Sequence, residues 1–260
     1  AQDTIRVKNA EAILYTGVNA NAPLIVGIGG SEGGNAWARN FWKEKRDGFI
    51  ARGYAFLAIA YFGTKNTPPI LDRIAIDEVY DLITVAKKHK KVDPGKVALM
   101  GGSRGADLAL LLASYYPDFS AVVAMSSSHA VFPGHTQEFT TSCWTFRGKE
   151  LPFIPVNEAA VPFLMKGDLR GVFTAMLQDT VAEQRALIRV EKINGAVLLM
   201  SGKKDEMIPA TSMADKMVNR FKQHDFKHYY QHIAYEGGHT EPTEHFDVIY
   251  DFLEKHFLKK

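Results

Sequence analysis

A single cysteine, Cys143, serves the whole chain, so no internal disulfide and no cysteine-built metal site can form, and the redox compartment stays open. No apolar run reaches the roughly eighteen residues a membrane helix needs, so no membrane span is expected. An excess of one charge is also missing: thirty-one Lys and Arg stand against twenty-nine Asp and Glu, for a net charge of +2. A nucleic-acid binder normally shows a clustered basic excess, so no nucleic-acid partner is expected. Internal repeats and low-complexity tracts are absent. The chain starts Ala-Gln-Asp rather than with methionine. That is compatible with a cytoplasmic address, or with a periplasmic or secreted one where a signal peptide has been removed.

The composition, 46% hydrophobic and 23% charged over 260 residues, is that of an ordinary globular protein with one sizeable core. A single domain over 1–260 is expected. Short apolar runs at Leu24–Ile28, Ala55–Tyr61, Val97–Met100, Ala121–Met125, Ala196–Met200 and His228–Tyr235 read as strands, mostly without polar interruption, which fits strands covered on both faces. Helical patterns fall between them, over Ala36–Arg52, Ile70–Lys90, Arg104–Tyr115, Ala210–Gln223 and Thr243–Phe257. The alternation predicts an α/β fold with a mainly parallel sheet and helices on both faces. It breaks once, over 129–194. This stretch has no clear strand, a predicted helix at Leu169–Arg189, and the aromatics Phe132, Phe139, Trp144, Phe146, Phe153, Phe163 and Phe173. Insertions of this length usually form lids or binding surfaces; the alternative is a satellite whose aromatics fill a small core of their own.

Gly101-Gly102-Ser103-Arg104-Gly105 is a G-x-S-x-G pentapeptide set directly between the Val97–Met100 strand and the next helix. A sharp strand-to-helix turn lifts the serine hydroxyl above the sheet, beside the free N–H groups of a helix start. The competing reading of Ser103 is a plain helix cap. A serine nucleophile needs a base, and the base needs an orienting acid. In the α/β-hydrolase order the acid follows a later strand and the histidine lies near the end. Asp205, just beyond the Ala196–Met200 strand, is the natural acid, with adjacent Glu206 the substitute. His239, in Glu236-Gly237-Gly238-His239 after the last strand, is the natural base, whereas His232, His245 and His256 suit structural positions. An oxyanion hole needs two converging backbone donors. Arg104 supplies one N–H; the second comes from Ser31 or Glu32 in the glycine-rich loop Gly29–Gly34, which lacks a phosphate-binding spacing.

Several segments together resemble the catalytic domain shared by acyl-CoA thioesterases and bile acid-CoA:amino acid N-acyltransferase. They are Gly102–Leu108, Ala60-Tyr61-Phe62-Gly63 with Pro68 downstream, Leu151-Pro152, Ile188–Lys192 and Gly238-His239-Thr240-Glu241-Pro242. The likeness runs from about Pro23 to the end. It implies an α/β-hydrolase fold with Ser103 as nucleophile, Asp205 as acid and His239 as base. The transferases that this chain resembles use cysteine as nucleophile, so the serine implies hydrolysis rather than amino-acid conjugation. Members commonly carry an N-terminal β-sandwich, and the twenty or so residues before the first core strand imply that it is absent here. Asp107 matches an acidic position of the family, with the expected role of complementing the first helical turn.

The expected function is cleavage of an ester or thioester through an acyl-enzyme on Ser103, with a small-molecule acyl substrate and without metal or cofactor. Alternatives are an acyltransferase or peptidase on the same triad, or a non-catalytic binding protein that keeps the fold. The insertion's aromatics suggest an apolar acyl portion, with Arg104, Lys203, Lys204 or Arg147 available to an anionic leaving group.

Overall fold

A computed structural model describes residues 1–259. In chain order its elements are β1 (Gln2–Arg6), β2 (Glu11–Tyr15), β3 (Ala22–Ile28), α1 (Lys43–Ala51), β4 (Ala55–Ala60), β5 (Ile74–Ala75), α2 (Ile76–Ala86), β6 (Val92–Gly102), α3 (Arg104–Tyr115) and β7 (Phe119–Met125). There follow β8 (Trp144–Phe146), β9 (Lys149–Glu150), α4 (Val161–Lys166), α5 (Leu169–Met176), α6 (Thr180–Ala186), β10 (Ala196–Gly202), α7 (Ala210–Gln223), β11 (Tyr230–Tyr235) and α8 (Phe246–Leu253). Eight strands form one sheet in the order β1-β2-β4-β3-β6-β7-β10-β11, parallel from β4 to β11 and closed at the other edge by the antiparallel β2 and β1.

The unbroken apolar runs have a direct cause. Leu24, Val26, Ile28, Val97 and Leu99 point to one core, shared with α2, α3 and α7, while Ile25, Ala98 and Met100 point to the other, shared with α1 and α8. Both faces are dry, so period-two alternation of polarity disappears and every position is apolar. This is the α/β-hydrolase layout. No helix among the described residues is long and apolar enough to cross a membrane.

Several expectations change, and the helices expected over Ala36–Arg52 and Thr243–Phe257 are shortened to α1 and α8. Residues before the first core strand form β1 and β2: β2 buries only Ala12 and Leu14, and β1 buries nothing, so neither carries a strand-length apolar signal. The helix expected from Ile70 starts at Ile76, because Ile74–Ala75 pairs instead with Trp144–Thr145. That pairing and β8–β9 make a three-stranded sheet where 129–194 was expected to have no strand. The helix expected over Leu169–Arg189 is two, α5 and α6, split where the Asp179 side chain caps the second by accepting from Ala182 N–H.

A polar knot around Glu183 ties the insertion to α7, with the His129 ring buried and the Lys216 side chain half exposed. His129 Nε2 lies 2.5 Å from Glu183 Oε2 on α6, and Lys216 Nζ from α7 reaches the same oxygen at 2.6 Å. The hydrogen bond from His129, with help from Lys216, pulls the Glu183 carboxyl down to about 2 against the opposing effect of burial. A depressed carboxylate stabilises the fold fully above its unfolded value of 4.5 and loses that contribution as pH falls through about 2. Glu183→Gln is therefore expected to lower stability at neutral pH and to flatten its decline between those two values. Urea midpoints measured across the acid range check this, and parallel profiles for the two proteins would refute it.

Candidate active site

Ser103 sits between the last residue of β6 and the first of α3 with φ 56° and ψ −126°. A non-glycine residue held there costs on the order of 1–3 kcal/mol, so its surroundings must over-determine it. They do: its N–H donates to Met125 O on the neighbouring β7 at 2.8 Å, and the chain on both sides is locked into strand and helix. Gly105 is sterically required, since a Cβ there would meet the carbonyl oxygens of Ile28 and Gly29 at 2.4 Å. The start of α3 thus presses directly on the end of β3.

Asp205 lies in the turn after β10 and is almost fully buried. Its Oδ1 accepts the N–H groups of Met207 (2.8 Å) and Ile208 (3.0 Å), and its Oδ2 faces His239 Nδ1 at 2.7 Å. His239 Nε2 lies 3.1 Å from Ser103 Oγ. The three side chains form one continuous hydrogen-bonded chain. Glu206, weighed as the substitute acid, lies off this line: its Oε2 accepts the His239 backbone N–H at 3.1 Å and does not reach the ring. The histidine loop is tied down a second time by Ser126 Oγ, which donates to His239 O at 2.6 Å. Close approach of the acid and histidine loops needs Gly202, where a Cβ would fall 2.2 Å from Gly238 O.

The Arg104 N–H opens α3 and has no carbonyl one turn behind it to bond. Across from it runs the Gly29–Gly34 loop, anchored where Tyr61 Oη donates to Gly29 O at 2.6 Å. Ser31 borders both cavities that flank Ser103; Glu32 borders one. The Glu32 carboxylate folds back on its own loop to accept Gly30 N–H at 3.1 Å.

Sequence reasoning passed over Ser126 as a positioning residue and gave Tyr61 no role. Ser126 had a usable signal, a polar run Ser126-Ser127-Ser128 at the carboxyl end of a strand, where sites in such sheets gather. Arg170 of α5, which donates to Asp205 O at 2.7 Å, had none.

A cavity of about 320 Å³ opens from Ser103 and His239 under the insertion, between Phe139, Val156, Leu164, Val172, Phe173 and Met176. A second, of about 350 Å³, lies on the other side of Ser103 against Trp37, Trp42, Thr240 and Thr243. Of the insertion's aromatics, Phe139 and Phe173 face the first cavity, Phe132 and Trp144 are fully buried, and Phe146 packs on Tyr115.

The basic residues do not share one role. Lys203 pairs with Glu236 at 2.6 Å, Arg147 lies over the Phe146 ring, and the Arg104 side chain turns inward to the first cavity, away from the surface where a leaving group would depart. Asp107 stands in the first turn of α3, paired with Arg104 at 3.3 Å. It is buried, accepting the N–H (2.8 Å) and Oγ–H (2.7 Å) of Ser128, and burial lifts its carboxyl to about 6 despite Arg104 and Ser128. Among the described residues, no group of three or more His, Cys, Asp or Glu side chains is arranged to hold a metal ion.

Comparison with known proteins places the chain among its relatives. The family described as BAAT / acyl-CoA thioester hydrolase C terminal matches residues 81–242. Acyl-coenzyme A thioesterase 1 of Rattus norvegicus is 26% identical over 207 residues, which cover 79% of this chain and 47% of that protein. Acyl-coenzyme A amino acid N-acyltransferase 1 of Mus musculus is 23% identical over 174 residues, 67% of this chain and 39% of that one. The chain spans about half the length of the curated relatives it matches or less. Among solved structures, the α/β hydrolase GrgF from Penicillium superposes with a TM-score of 0.63 at 14% identity, covering 99% of both chains.

Proposed function

Because this chain belongs to the family of BAAT and acyl-CoA thioester hydrolase C-terminal domains, we propose that it hydrolyses acyl thioesters, with acyl-CoA as the substrate class and carboxylic esters as the simpler analogues. The observation that carries this reading is the unbroken Ser103–His239–Asp205 hydrogen-bonded chain at the junction of two cavities.

The chemistry follows from the distances. Ser103 Oγ attacks the carbonyl carbon while His239 Nε2 takes the hydroxyl proton, and Asp205 Oδ2 holds the Nδ1 proton and stabilises the imidazolium. The tetrahedral oxygen accepts from the N–H groups of Arg104 and Ser31. His239 then delivers its proton to the departing sulfur or oxygen, leaving an acyl-enzyme. A water molecule attacks that ester as His239 takes its proton, and the acid is released with the serine restored. The apolar cavity under the insertion takes the acyl chain, and the second cavity gives the leaving group its exit. On this reading 1–260 is one hydrolase domain and 129–194 is its lid.

Thiol release from acyl-CoAs, set beside hydrolysis of aryl esters with matched acyl groups, tests the assignment. The expected result is turnover of both, with higher kcat/KM for the thioesters, and labelling of Ser103 by a fluorophosphonate. A protein that turns over neither and leaves Ser103 unlabelled has a binding role instead.

A further inference from the structure

A third cavity, of about 450 Å³, lies outside the site described above, where the end of α3 meets the chain that follows α6. It shares no lining residue with the two cavities beside Ser103. Leu111, on its floor, stands about 12 Å along α3 from Ser103 at roughly 1.5 Å per residue. Two segments singled out in the sequence and left without a part in the triad, Leu151-Pro152 and Ile188–Lys192, contribute Leu151, Pro152, Arg189 and Lys192 to its wall. Backbone bonds hold that wall in place. Val131 N–H donates to Ala186 O at 2.9 Å, Ile188 N–H to His129 O at 3.0 Å and Leu151 N–H to Trp144 O at 3.0 Å, so the cavity is preformed.

Its charge is one-sided. Arg185, Arg189 and Lys192 border it, and no Asp or Glu does. The acids nearest these cations in sequence are committed to α7 instead: Glu183 Oε2 takes Lys216 Nζ at 2.6 Å, and Glu191 Oε1 takes Arg220 Nη2 at 3.0 Å. Among the described residues, none of the three cations bordering the cavity pairs with a carboxylate. Like charges gathered round one hollow repel one another, and a bound anion relieves that repulsion. The floor is apolar, built from the buried Leu111, Val131 and Ala186, and the Tyr115 ring, held by Phe146 with centroids 4.4 Å apart, adds an aromatic face.

An inorganic anion would use the charges and leave the floor wet; a neutral apolar molecule would do the reverse. A monocarboxylate would offset one charge of the three. A phosphate monoester brings about two negative charges at pH 7 and three acceptor oxygens, which match the planar forks of two guanidinium groups. We propose that this cavity is a second, non-catalytic site for an organic phosphate monoester, its phosphate held by Arg185, Arg189 and Lys192 and its apolar or aromatic body seated on Leu111, Val131 and the Tyr115 ring.

Calorimetric titration of the full chain with phenyl phosphate tests this, at about 0.1 M ionic strength, where the screening length of about 10 Å still leaves charges within the cavity in reach of one another. One equivalent is expected to bind, with inorganic phosphate and phenol each at least about tenfold weaker. Combining Arg185→Gln with Arg189→Gln should weaken phenyl phosphate by at least about tenfold. Both side chains are exposed, so the variant should fold, and its aryl-ester hydrolysis in the absence of phosphate should be unchanged. Failure of phenyl phosphate to bind overturns the proposal, as does equal affinity for phenol or for inorganic phosphate. Unchanged affinity in the double variant overturns it too, since the phosphate then sits elsewhere, and so does a loss of ester hydrolysis, which would make the cavity part of the active site. Binding is read from heat and not from products, so the hydrolase reading stands or falls separately.

Discussion

Ser103→Ala is expected to lower kcat by on the order of 10⁴–10⁶-fold while leaving the fold standing. The loss is this large because Oγ is the only atom in the proposed mechanism that forms a bond to the acyl group; what survives is the oxyanion donors and the substrate cavity. The fold survives because Oγ makes a single side-chain hydrogen bond, at 3.1 Å to His239, whose ring stays held by Asp205 on its other nitrogen. Alanine keeps a Cβ, so the backbone strain at φ 56° neither grows nor is relieved. Unfolding free energy should shift by no more than about 1 kcal/mol. Steady-state rates, thermal unfolding and fluorophosphonate labelling on the same preparation read all three consequences. Near-complete retention of activity would mean that another nucleophile operates.

The legible part of this molecule is the part in which local chemistry and chain order coincide. β3, β4, β6, β7 and β10 could be read because both their faces are dry, and α3 and α7 because their bounds are set by strong local signals. Ser103, Asp205 and His239 stood out because each follows a strand, and the parallel sheet gathers strand ends at one edge. The hidden part is set by pairing across distance. β5 exists only because Trp144–Thr145, seventy residues away, offers it a partner. β1 has no buried stripe at all and is defined by its register on β2. The inward turn of the Arg104 side chain could not be read either, since its environment is built from Phe132 and Phe173 of the insertion. The motif fixes the position of its N–H, and the insertion decides where its charge points.

Asp205→Asn separates the orienting role of the acid from its charge in a way particular to this site. The carboxylate has two sides with opposite demands: Oδ1 must accept two backbone N–H groups, from Met207 and Ile208, and Oδ2 must accept from His239 Nδ1. An amide has one accepting end and one donating end. If its oxygen serves the two backbone donors, its NH₂ faces Nδ1, which then has to be the bare nitrogen. The ring proton moves to Nε2, toward Ser103, and the histidine can no longer accept the serine proton; kcat should fall by on the order of 10⁴-fold with stability little changed. If the amide turns over instead, the histidine keeps a working tautomer, but two buried N–H groups face an NH₂ and lose their acceptor, at about 1–3 kcal/mol each. The backbone demand is the stronger, so the slow and stable outcome is expected. Rates and urea midpoints measured together distinguish the two, and a variant with both unaltered turnover and unaltered stability would show that Asp205 neither orients the histidine nor anchors its own loop.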